Sequence, residues 1–159
     1  MLMRGFLLTL LSLCVIVAVA LWAGPRFWNG ATSELTARLA ASSQPTLASV
    51  YSDRELEGLP APVARYLRQV LPAGQPMIRR TRIEWRGEFN MGHLGADNWK
   101  AFLAHQAYVV DPPGFVWDAR VAMAPALPVL VRDMFLAGQG SMRGKIAGWV
   151  TVLDAAPTP

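Results

Sequence analysis

The chain has 159 residues, a formal charge of +4, 53% apolar and 16% charged side chains, and one cysteine, Cys14, inside an N-terminal apolar run. One cysteine excludes an intrachain disulfide, and the residues after that run suffice for one domain with one core, not two. The basic balance suits an anionic membrane surface or partner and is too slight to argue for nucleic acid, so no nucleic-acid partner is expected.

Residues 6–23 form eighteen consecutive positions without a charge, and the neutral stretch extends over 5–25. A helix rises about 1.5 Å per residue and the hydrocarbon core is about 30 Å thick, so roughly 20 residues cross it. Residues 1–28 therefore read as a transmembrane anchor, with the membrane as partner through 6–23. The rival is a cleaved signal peptide, with Arg4 ahead of the run and small residues at Ala18 and Ala20,. A buried core helix is disfavoured, because a run apolar on all faces rarely finds a core to enclose it. Arg4 precedes the run with no acid beside it, which points to a cytoplasmic N-terminus and an extracytoplasmic domain on the inner membrane, or to export if the segment is cleaved,. Trp22, Phe27 and Trp28 stand where aromatic rings favour the headgroup layer,. Leu13 before Cys14 argues against lipid attachment.

Residues 29–51 are rich in Ala, Ser and Thr and read as a linker, with Thr32 or Ser33 capping a short helix that carries Leu35 and Leu39,. The domain proper is expected over 52–159. Ser52 and Glu55 have capping-box spacing for a brief turn ended by Gly58 and Pro60,. A helix then begins near Ala61 and Pro62. Val63, Tyr66, Leu67, Val70 and Leu71 fall at i, i+3, i+4, i+7, i+8 and make one apolar stripe that needs a sheet to bury it,. Pro72 and Gly74 end this helix.

Strand signals follow. Over 80–89, Arg80, Arg82, Glu84, Arg86 and Glu88 alternate with Thr81, Ile83, Trp85, Gly87 and Phe89, the pattern of an antiparallel strand covered on one face,. A glycine-bearing loop over 90–98 leads to a second strand over 99–110, although 100–104 would also pass for helix, and Asp111, Pro112, Pro113 and Gly114 break it,. Phe115, Trp117, Ala119, Val121 and Met123 mark the buried face of a third strand, 129–136 a fourth, and the alternation from Ser141 to Val152 a fifth. Consecutive strands with short turns predict an antiparallel meander in an α+β domain, with a helix packed on a curved sheet that stops short of a closed barrel. Gly87, Gly144 and Gly148 on the inward face would permit strong bending. The strand at 141–152 leaves an open edge, so a homo-oligomer or a partner chain completing the sheet is expected as an alternative.

The residues Leu59 to Tyr66, Arg82 to Gly87, Trp99 to Phe102, Pro112 to Arg120 and Gly138 to Arg143 resemble a bacterial family of membrane-anchored or exported proteins that carries only a domain-of-unknown-function label. That resemblance implies a longer protein with a second β-rich half, and it implies no activity or catalytic residues. More remotely, a helix on a curved antiparallel sheet resembles the lipoprotein-carrier fold, which implies a face that holds acyl chains.

Candidate chemistry is sparse. His93 and His105 lack metal-ligand spacing, no serine sits in a nucleophile elbow, and Gly138, Gly140 and Gly144 miss the dinucleotide pattern, so no catalytic residue, metal or cofactor is expected, and no enzyme,. Arg79, Arg80, Arg82 and Arg86 read either as a solvated, ion-paired sheet face or as a contact for anionic headgroups or an acidic partner. Trp85, Phe89, Phe115, Trp117 and Met123 read either as core or as the lining of an apolar site for a lipid, with the helix at 63–71 as its lid.

Overall fold

The computed structural model describes residues 2–43, 50–92, 95–125 and 127–156. Helix α1 (Leu2–Ser42) is followed by a 3-10 turn (Asp53–Leu56) and α2 (Ala61–Val70). Strands β1 (Arg80–Asn90), β2 (Trp99–Val109), β3 (Gly114–Ala124), β4 (Leu127–Leu136), β5 (Gln139–Ile146) and β6 (Val150–Ala155) come next. All neighbours pair antiparallel in the order β1-β2-β3-β4-β5-β6, an open meander with β1 and β6 at its edges. The expected α+β class and meander hold, with one more strand than the alternation predicts. The fifth predicted strand is two. Ala147 (φ 50°) and Gly148 (φ 84°) are left-handed and reverse the chain after Ile146, a turn that unbroken alternation conceals,.

The helix that packs on the sheet is not the one expected. α1 runs without interruption through residues 29–42 of the stretch predicted as linker, and its second half lies against β2, β3 and β4. Leu21, Gly24/Pro25, Trp28, Thr32, Leu35, Leu39 and Ser42 recur at alternating three- and four-residue steps and make the less exposed face of this half,. Leu39 joins Val109, Val116 and Leu136 in the main core, flanked by Leu35, Ala107 and Met134. A Cβ on Gly114 would meet Leu39 Cδ1 at 2.8 Å, so glycine there lets the helix seat. At the other end of the contact, Gly24 and Gly148 meet backbone to backbone.

α2 belongs to a smaller lobe. Ala64, Leu67 and Leu71 pack on Tyr51 and Leu56, and the lobe is closed by Tyr51 N donating to Gln75 O (2.8 Å) and Gly74 N to Tyr51 O (2.9 Å). Among the described residues α2 packs on the 3-10 turn and not on the sheet, which leaves Val63, Tyr66 and Val70 exposed. Ser52 makes no side-chain cap; the Glu55 amide bonds its carbonyl instead (3.0 Å).

Candidate functional site: two unlike faces of one sheet

Strand alternation puts Arg80, Arg82, Glu84, Arg86 and Glu88 on one face of the sheet, and it is this face that α1 covers over β2–β4. One register line crosses it from edge to edge: Glu84, His105, Asp118, Arg132, Arg143 and Asp154 are successive partners, one ionisable residue from each strand. Arg132 and Arg143 are neighbours of like charge, and each turns to an acid on its other side. Arg132 Nε lies 3.4 Å from Asp118 Oδ2, and Arg143 Nε lies 3.0 Å from Asp154 Oδ1.

Helix α1 lands on the middle of this row. Trp28 Nε1 and the Thr32 hydroxyl each donate to Asp118 Oδ2 at 2.7 Å. Arg132 Nη2 donates to Trp28 O (2.8 Å) and to Thr32 Oγ1, Nε donates to Thr32 Oγ1 (3.0 Å), and the guanidinium stacks 4.2 Å over the Trp28 ring. Burial lowers the Arg132 pKa from its ordinary value while Asp118 pulls it back, and the guanidinium stays charged,. No buried side-chain nitrogen or oxygen among the described residues lacks a partner. Arg132 is buried and Asp118, partly exposed beside the cleft, is held by the guanidinium and two donors, the pairing under which ions are tolerated away from bulk water,. Beside the node, a cleft of about 310 Å³ opens between α1 and β1–β2, lined by Thr32, Thr36, Arg82, Glu84 and His105 among others.

The opposite face carries the aromatic residues. Trp85 and Phe89 of β1 and Phe115 and Trp117 of β3 lie on it, with Phe102 and Tyr108 of β2 between them. Phe89 meets Phe102 edge-on at 6.3 Å, and Tyr108 lies 5.9 Å from Phe115. Met123 shares the face by alternation but falls in a bulge, where the β3–β4 register shifts between Ala122 and Ala124,. Ala104 and Ala119 are sealed by their larger neighbours, whereas Trp85 and Phe89 are 44% and 48% exposed. Polar side chains interrupt this face: Lys100 stands in register with Phe89 and Thr81 with Tyr108, and Gln106 and Asp133 lie nearer its middle. Gln106 accepts from Trp85 Nε1 (3.0 Å), and Asp133 stands in register with Trp117 and Met142. Among the described residues no helix covers this side.

The expected lining residues thus share a face, while the helix expected as their lid lies elsewhere. Of the arginines, Arg80 borders Leu39 and Ala40 at one end of α1, Arg82 lies beside Thr32 and Thr36, and Arg86 lies toward the other end of β1. Arg79 precedes β1, and its carbonyl accepts from Val110 N (3.0 Å). His105 Nδ1 lies 3.9 Å from Glu84 Oε1, both well exposed; His93 lies outside the described residues. No three His, Cys, Asp or Glu among the described residues are gathered as a metal site would need. The Trp28–Thr32–Asp118–Arg132 node escapes sequence reading. Its one signal is the helical spacing of Trp28, Thr32, Leu35 and Leu39 across a stretch that composition marks as linker.

Comparison with curated proteins and with solved structures returned no match. Residues 49–159, well over half of the chain, match DUF6544, described as a family of unknown function, and the chain belongs to that family.

Proposed function

We propose that this protein is a membrane-mounted binding module, not an enzyme, whose uncovered aromatic face takes an acyl chain or similar apolar ligand at the surface of the inner membrane. α1 crosses the bilayer through residues 5–25 with its N-terminus cytoplasmic, and the sheet is extracytoplasmic. The observation that carries this reading is the side α1 occupies: the helix covers the middle of the charged row and no helix lies over the face of Trp85 and Phe89, which are exposed, and Phe102, Phe115 and Trp117, which are half-buried or buried. Contiguous apolar surface on that scale marks a binding site more often than a solvated face.

The anchor has its own support. The apolar window of α1 is wholly unburied within the protein, and its mean hydropathy is 2.7. Signal cleavage after Ala20 would fall inside a continuous helix at the residue whose carbonyl accepts from Trp149 Nε1 (2.8 Å). On this mounting Arg80, level with Leu39, stands roughly 20 Å beyond Gly24 at 1.5 Å per residue. That exceeds the Debye length of about 8 Å at physiological salt, so headgroup attraction falls to Arg86 more than to Arg80 or Arg82.

A diazirine-bearing fatty acid photolysed with the full chain in nanodiscs tests the reading. Adducts are expected on Phe102, Trp117 and their neighbours on that face. Adducts confined to residues 5–25 would overturn it. The second reading, a sheet completed by another chain, is favoured by β6, all six residues of which are exposed, Val150, Val152 and Leu153 among them,. Efficient disulfide cross-linking of Thr151→Cys between two copies in a Cys14→Ser background, without acyl adducts, would support it instead.

A further inference from the structure

We infer that the β3–β4 and β5–β6 turns are seated in the headgroup layer of the bilayer, so that the sheet stands on end at the membrane and its aromatic face opens at lipid. The inference rests on the anchor reading. About 20 residues cross the hydrocarbon, which places the exit of the span near Trp22–Pro25. The β5–β6 turn is fastened at that level. Trp149 Nε1 donates to Ala20 O, the Phe27 ring meets the Trp149 ring edge-on at 5.7 Å, and a Cβ on Gly148 would lie 2.4 Å from the Gly24 backbone. No layer of water or lipid fits between turn and helix there. Ala147 N in turn donates to Pro128 O (2.8 Å), which ties the start of β4, just past the β3–β4 turn, to the same height.

The exposed side chains at this height match the headgroup layer. Trp22, Phe27, Trp149, Leu127 and Val150 are all exposed, and the Arg26 guanidinium lies 4.1 Å over the Trp22 ring, where a cation meets lipid phosphates,. The opposite end differs. Leu39 marks it, about 22 Å further along α1 at 1.5 Å per residue, and there exposed Val110 is followed by Asp111, Pro112 and Pro113 in the β2–β3 turn and Gln139 starts β5, with no tryptophan in either turn,. Lipid is therefore the one occupant that accounts both for the fastening of these turns to the end of the span and for the tryptophan and aliphatic groups they expose.

Spin labels test this in the full chain, in vesicles of phosphatidylcholine with phosphatidylglycerol, with Cys14→Ser as background. Labels at Leu127→Cys and Val150→Cys are expected to collide with oxygen and be shielded from a water-soluble nickel chelate, whereas Gln139→Cys is open to the chelate. A label at Val15→Cys reports the span itself. Chelate access at 127 and 150 equal to that at 139, with 15 shielded, would overturn the inference and leave the anchor standing. Chelate access at 15 would overturn both.

Discussion

The two faces of the sheet are built on opposite rules. One bears an ionisable residue from every strand along a single line and is covered by α1 at its middle; the other bears the large aromatic side chains and has no helix over it. Alternation shows which residues share a face, but a covering helix goes where its own side chains find complements. Trp28 and Thr32 supply donors that a carboxylate needs, and Leu35 and Leu39 supply the apolar contact around Gly114. The charged face is therefore held by an ion pair and a small core, and the aromatic face stays available.

The largest test of this contrast is Arg132→Ala. Removing the guanidinium leaves Asp118 without its counter-charge; because Asp118 is partly exposed and keeps its bonds from Trp28 and Thr32, a loss of about 3 kcal/mol is expected, the lower end for a buried pair,. Chemical denaturation of the full chain in detergent, followed by near-ultraviolet dichroism, should show it. Leu39→Ala comes next, with an expected loss of about 2–4 kcal/mol for a buried leucine. Trp117→Ala on the aromatic face should cost distinctly less in the same measurement, and equal losses would mean that the two faces are not energetically distinct. Gly24→Ala forces the helix off Ala147 and Trp149 and should destabilise by about 1–3 kcal/mol, as overpacking does. Faster amide exchange is expected in β5 and β6 but not in β1. Arg143→Ala removes the exposed end of the charged row, and an effect of about 0–1 kcal/mol is expected.

The smaller lobe offers a pH test. Burial, and then the Asp53 carboxylate, push the Tyr51 phenol above its ordinary value. A raised folded pKa means that the stabilisation is complete below the unfolded phenol's value of about 10 and is lost as pH rises through the folded value. Amides of residues 61–71 should lose protection above that range in the parent and less so in Tyr51→Phe.

Much of the fold was legible in the sequence. Period-two alternation places β1 to β4 within a residue or two, and proline and glycine clusters mark their turns. The β5–β6 turn was not legible, because a left-handed alanine has no compositional signature. The covering helix was missed for a different reason. Over 29–42 its less exposed stripe holds only Leu35 and Leu39 as large apolar residues, with Thr32 and Ser42, in a stretch rich in Ala, Ser and Thr. Pro25 removes the donor to Leu21 O, yet the helix continues through it, with the neighbouring Gly24 seated against the β5–β6 turn,. The aromatic face was legible as a set of residues. That it lies uncovered was not, because α2, the one strongly amphipathic helix, spends its buried side on Tyr51 and Leu56.

Because α1 passes from its apolar half to the sheet without a joint, the domain has a fixed compass bearing relative to that half. With 3.6 residues per turn, each residue inserted between them swings the domain by about 100° around the helix axis. The direction in which the aromatic face looks is thus set by residue count alone, and tilting or twisting of the apolar end of α1 is delivered undamped to the far end of the sheet.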